Sequence, residues 1–152
     1  MLFQRVNRNS PEKVFVVVLN SYSTAAVTVG QGVNWDFVTD ADGVSITQPL
    51  ARATNAGFAA AGVVADASIA VGSYGLVQVY GYHSSTRVRT VTGGTPAIAP
   101  GRPLAMNVAG SVFCLESIST ASTVILRFPM AFSLGSTAGF TTIAKPVFIK
   151  NL

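Results

Sequence analysis

"DASIAVGSYGLVQVYGY", residues 66–82, decides how this chain is read. It leaves an apolar patch, passes Gly72 and Gly75, and enters a strand-like alternation that carries Tyr80 and Tyr82, with Tyr74 just before it. Period-two alternation marks a β-strand with two different faces. Catalysis or metal binding needs clustered acids, bases or ligands, and this stretch holds Asp66 alone.

The same texture extends outward in both directions. Short β-rich runs read at 13–19, 25–29, 33–38, 44–50, 75–82, 86–91, 102–108, 111–117, 122–134 and 145–150. "TDADG" (39–43) reads as a tight turn, because Asp bonds its own backbone locally and Gly accepts positive φ. Closely spaced strands with turns between them predict an all-β fold, a small β-barrel or β-sandwich of short antiparallel strands with little or no helix. Residues 49–62 read equally as one short Ala-rich helix or as a loop. No internal repeat of fixed period is visible and no linker divides the 152 residues, so one domain spans 1–152. Residues 1–12, polar and basic, read as a possible N-terminal arm that orders against a neighbour.

Composition narrows the function. Charged residues are 11% of the chain, against about 25% in ordinary soluble domains. A free monomer so poor in charge is weakly protected against association, which points to a surface covered by partners. The net charge of +4 comes from scattered bases whose tight pairs are Arg5/Arg8 and Arg87/Arg89. Nucleic-acid footprints cluster their bases on a stripe or tail, so the scatter argues for an acidic protein partner instead. The apolar runs are too short for a membrane-spanning helix, and the N-terminus has no signal-peptide core. The expectation is a soluble protein made in a cytoplasm.

Chemistry-bearing constellations are sparse. His83 is the sole histidine and Cys114 the sole cysteine, which excludes an internal disulfide and a standard zinc site. His83, before "SST", reads as a turn residue, and Cys114 as a buried small hydrophobe. "DADG" begins like a calcium loop, yet no late glutamate follows, so a turn fits better. "GQG" (30–32) lacks the third glycine of a dinucleotide fingerprint. General acid–base catalysis needs paired functional groups, and none pair here. No enzyme activity, cofactor or metal is expected. Tyr80 and Tyr82 near Arg87 and Arg89 read as cross-strand neighbours on a hairpin.

Over residues 62–108 the order of features becomes specific. A strand is followed by "IAVGSYG", a Tyr-rich strand, a second strand and the turn "APGRPL". This resembles the β-barrel module of tailed-phage head decoration, or cement, proteins. The match is carried by Gly62, Val63, Ile69, Gly72, Gly75, Val77, Val79, Gly81, Gly101 and Leu104, about a third of the chain. Arg102 stands where that family usually has an acid, which puts any polar contact there in doubt.

The resemblance implies a non-enzymatic virion structural protein. Such a protein is a homo-oligomer, commonly a trimer, that binds the major capsid protein on the capsid exterior and stabilises the head. Interface candidates are Arg5, Arg8, Tyr74, Tyr80, Tyr82, Arg87, Arg89 and Arg102. The alternatives are another phage structural part (jelly-roll capsid, tail or fibre-base protein) and a carbohydrate-binding β module.

Overall fold

Valine, isoleucine and tyrosine fit a pleated, half-buried surface, and strands form where they alternate with smaller or polar residues. A computed structural model describes residues 12–49, 59–65, 67–90, 97–106, 114–118, 129–137 and 141–151. Among these there is no helix. The strands are β1 (Val14–Asn20), β2 (Gly32–Trp35), β3 (Ser45–Thr47), β4 (Ala60–Val64), β5 (Tyr74–Arg89), β6 (Pro103–Met106), β7 (Leu115–Ser117), β8 (Ala131–Ser133) and β9 (Ile143–Lys150). The all-β expectation holds.

The strands join in two hydrogen-bonded circuits that share β5. In the first, β1 pairs β3, β3 pairs β2, β2 pairs β4, β4 pairs β5, and β5 returns to β1. In the second, the far half of β5 pairs β7, then β6, β8 and β9 follow, and β9 returns to β5. Several of these pairings are only two residues long, so neither circuit is a regular barrel. Each has a core, and the second also takes in Val63 of β4. Val18, Val33, Ile46, Val64, Val77 and Val79 fill the first. Val88, Leu104, Met106, Leu115, Val147 and Ile149 fill the second. Each fully buried aliphatic side chain contributes roughly 1.5–3 kcal/mol.

The two circuits are one plan used twice. In the order of the chain, the strands of each circuit are joined 1-3-2-4-5, with strand 5 closing on strand 1. The first-to-third pairing is parallel in both (β1–β3 and β5–β7), and the other pairings are antiparallel in both. The registers correspond as well. Trp35↔Ile46 matches Met106↔Leu115, Val33↔Gly62 matches Leu104↔Ala131, and Val64↔Val77 matches Ser133↔Val147. An isolated bridge ties the loops before the second and fifth strands in each, Val27↔Ile69 and Ile98↔Thr137. The chain therefore carries an internal structural repeat about seventy residues long, which its amino acids do not display.

Other expectations need correction. Residues 25–29 are not a strand, and only Val27 bridges there. Residues 60–64, three of which fell in the helix-or-loop segment, form β4, while 50–58 lie outside the described residues. The runs 75–82 and 86–91 are not two hairpin strands but one 16-residue strand, so Tyr80, Tyr82, Arg87 and Arg89 share β5. Residues 82–89 contain no Gly, Pro, Asn or Asp, and Ser84 and Ser85 are weaker turn formers, bonding the backbone less strongly than Asn or Asp. The strand instead bulges between His83 and Thr86, beside Pro146 of β9, which has no N–H to give the ladder. His83 is thus a buried strand residue whose ring nitrogen lies 2.9 Å from the Thr86 hydroxyl, not a turn. The 1–12 arm is described only at Glu12.

Candidate docking surface

The pairing of β1 with β5 presents one outer face of the two strands. On β1 and β5 the inward positions Val16, Val18 and Val77 fill the first core. Alternation then sends Phe15, Val17 and Leu19 outward beside Tyr74 and Leu76. Val17 stands opposite Leu76, and Leu19 opposite Tyr74. Val17 is 65% exposed and Tyr74 67%, with Phe15 and Leu76 also exposed and Leu19 half-buried. Gln78, opposite Phe15, turns its amide to its own strand, donating to the carbonyls of Tyr80 and Tyr82 at 3.0 and 3.1 Å. The result is an uncharged apolar wall two strands wide.

The repeat supplies an internal control for that wall. Leu19↔Tyr74 in the first circuit corresponds to Arg87↔Ala144 in the second. By the same correspondence Val17 matches Ser85, and Leu76 matches Pro146. At Arg87↔Ala144 the outer pair is built with Arg and Ala, whereas Ser85 and Pro146 lie at the bulge, where the two strands do not pair, and the next outward pair, Tyr82↔Phe148, is aromatic. At that position strand pairing does not require the apolar pair Leu19 and Tyr74. An apolar patch without a structural reason marks an interaction site.

The sequence candidates separate. Tyr74 belongs to the wall. Tyr80 and Tyr82 are half-buried along β5; Tyr80 meets Phe148 edge-to-face at 5.3 Å, and Tyr82 stands opposite it. Arg87 is exposed, and its guanidinium donates to the Thr28 hydroxyl at 2.9 Å, while its N–H donates to the Gly30 carbonyl. Arg89 is not presented outward. It is buried, its Nε donating to Glu116 at 2.6 Å across the parallel β5–β7 pair. Arg102 is half-buried, and its carbonyl accepts from the Ser133 N–H. Arg5 and Arg8 lie outside the described residues. Phe15, Val17 and Leu76 were missed. The signal was "VFVVVL": a strand apolar on both faces is covered on both.

A second feature also escaped sequence reasoning. The 36–43 loop holds Phe37 and Val38 in solvent at 55% and 91% exposure. Two carboxylates fix its shape. Asp36 accepts from the hydroxyls of Ser21 (2.6 Å) and Thr39 (2.8 Å), and Asp40 accepts from the N–H groups of Asp42, Val44 and Ser45 at 3.0–3.2 Å. Burial pushes the Asp36 pKa upward, but the bonds from Ser21 and Thr39 outweigh it and hold the carboxyl below its ordinary range. The Asp42 N–H, with Ser45 and Val44, does the same for Asp40. The expected turn at 39–43 is present, with Asp40 as its hub.

Cys114 is buried, as expected. Among the described residues no three His, Cys, Asp or Glu side chains gather as a metal site, and no helix is long and apolar enough to cross a membrane. No family model matches the sequence, and comparison with curated proteins finds no match.

Proposed function

We propose that this protein is a non-enzymatic structural component of a tailed-phage virion, an oligomer that docks on the outside of the capsid and stabilises the head. One observation carries the reading: Phe15, Val17, Tyr74 and Leu76 form an exposed apolar wall on adjacent strands with Leu19 half-buried among them, and the pair equivalent to Leu19 and Tyr74 in the second circuit is Arg87 and Ala144. The scarcity of charge and the resemblance over 62–108 support the same conclusion.

A patch of a few hundred Å² is smaller than the roughly 800 Å² per partner of a stable protein interface. One wall therefore binds weakly. An oligomer that places several walls on a repetitive lattice binds strongly, because each later contact is made at high effective concentration. Capsids are such lattices.

The test is electron microscopy of heads with and without the protein, together with a Val17→Ser, Leu76→Ser variant. Added density on heads incubated with the wild-type protein, absent with the folded variant, is expected. Equal occupancy by the variant removes the wall from docking, and heads that never gain density reject the capsid reading.

A further inference from the structure

The loop at 36–43 is built unlike a solvated turn. Its tip is Phe37 and Val38, and its conformation is set in advance by the bonds to Asp36 and Asp40, by the Asp40 N–H on the Asp36 carbonyl, and by left-handed Gly43 at φ +75°. Order that exists before binding lowers the entropy lost on binding. A rigid, exposed apolar tip has the form of an interface anchor.

The charge around the tip says what it meets. Asp36, Asp40 and Asp42 are three of the six acids of the chain, and no Lys or Arg lies between Lys13 and Arg52. The loop thus carries −3, while ten bases and three acids leave +7 on the remainder. A basic surface complements the loop, and a second copy of this chain carries one. An anionic membrane does not fit, since the acidic collar would be repelled.

Outside the loop, exposed apolar residues with a cation close by include Val29, whose neighbours Thr28 and Gly30 both accept from Arg87, and Leu134. Leu134, 44% exposed, follows β8 and donates its N–H to the carbonyl of Pro146 on β9. Lys145 precedes Pro146, and its stem lies against Gly135. Arg102 is joined to the residue before Leu134 by the Ser133 N–H on its carbonyl. Leu134 thus sits next to Pro146 and the stem of Lys145, an apolar spot with one cation at its side.

We propose that the Phe37 and Val38 tip of one copy packs on Leu134 and Pro146 of a second copy, with the loop carboxylates facing Lys145. This contact deepens the self-association in the functional reading above, and it uses neither strand of the capsid-facing wall. It is heterologous, joining two different surfaces, so successive copies build a ring if the rotation closes and a filament if it does not.

The test is sedimentation equilibrium of the purified full-length chain over a wide concentration range, at low and high salt. The expected result is a mass above the monomer that falls as salt screens the charges. Val38→Asp, at a site open to solvent, should keep the wild-type circular dichroism and weaken association at least tenfold. Asp42→Lys should weaken it, and Asp42→Lys with Lys145→Glu should recover most of the loss. A wild-type chain that stays monomeric, a Val38→Asp chain that associates like wild type, or a charge swap no better than Asp42→Lys alone overturns the contact. Head binding is scored separately. A monomer that still decorates heads sinks this contact and leaves the wall, while an oligomer that ignores heads does the reverse.

Discussion

Gly30 and Gly101 occupy one position in two copies of the same turn. Both are left-handed, at φ +78° and +81°. The Gly30 N–H donates to Val64 and the Gly101 N–H to Ser133, and a bond from the next residue closes each turn, Gln31 to Thr28 and Arg102 to Ala99. Their surroundings differ. A Cβ on Gly30 would stand 2.1 Å from the Ser85 carbonyl oxygen, whereas a Cβ on Gly101 meets nothing within 4 Å.

Alanine should therefore separate the two glycines. Gly101→Ala carries only the left-handed penalty, about 1–2 kcal/mol. Gly30→Ala adds a collision between backbone segments of the two circuits, a further 1–3 kcal/mol or so by the usual measure of overpacking. Urea unfolding of both variants gives the comparison, and equal losses would show that the Gly30 contact does not hold the circuits together.

The wall makes the opposite demand on stability. Val17→Ser and Leu76→Ser change exposed side chains whose counterparts are already Ser85 and Pro146. Each should shift the unfolding free energy by no more than roughly 0.5 kcal/mol. A loss of several kcal/mol in thermal or urea unfolding would mean that these residues pack within the fold after all.

The buried pair Arg89 and Glu116 should behave asymmetrically. Glu116→Ala leaves a guanidinium in the interior without its carboxylate, at a cost of about 3–5 kcal/mol. Arg89→Met together with Glu116→Leu removes both charges and should recover much of that loss. A double-mutant cycle from denaturant midpoints measures the coupling, and additive losses would contradict it.

Acid should loosen the 36–43 loop. Asp36 and Asp40 both have folded pKa values below the ordinary 3.8. A depressed carboxyl pKa contributes stability that is complete above the unfolded value and is lost as pH falls through the folded one. The loop is therefore fully held at neutral pH and released only below about pH 4. Amide exchange or chemical shifts at Val44 and Ser45, followed from neutral pH into acid, should show it, and Asp40→Asn should remove the Asp40 part of the transition. Val44 and Ser45 amides indifferent to acid would disprove the role of Asp40.

The all-β character, the strands at 14–20, 103–106 and 143–150, the lack of helix among the described residues, the Asp40 turn and the burial of Cys114 were legible in the sequence because each rests on local patterning. The repeat was not. What the two circuits share is backbone: register, bridges and turn bonds. Their cores are filled by different side chains of similar character, Val33 and Leu104, Ile46 and Leu115, Val79 and Ile149. Cores tolerate such exchanges when volume and pattern are kept, so the shared plan leaves almost no trace beyond the turn glycines. The course of β5 was hidden for another reason. Nothing local to His83, Ser84 and Ser85 shows that Pro146, more than sixty residues away, lies beside the bulge. Arg89 looked like a surface cation because its partner, Glu116, is distant in the chain. The wall was half-visible in "VFVVVL", but which of its side chains stand exposed shows only in the fold.

β5 has a last consequence, for how the molecule comes apart. Two five-strand circuits would ordinarily take ten strands, and here nine suffice because one is common property. Neither half of the chain is complete when severed. Cut before β5, the first half loses the strand that closes its ring; cut after it, the second half loses the strand that begins one. The repeat is thus not a pair of beads on a string but a pair of links forged with a shared side. Heat or denaturant should dissolve both together in a single cooperative step, with no stage at which one ring outlives the other.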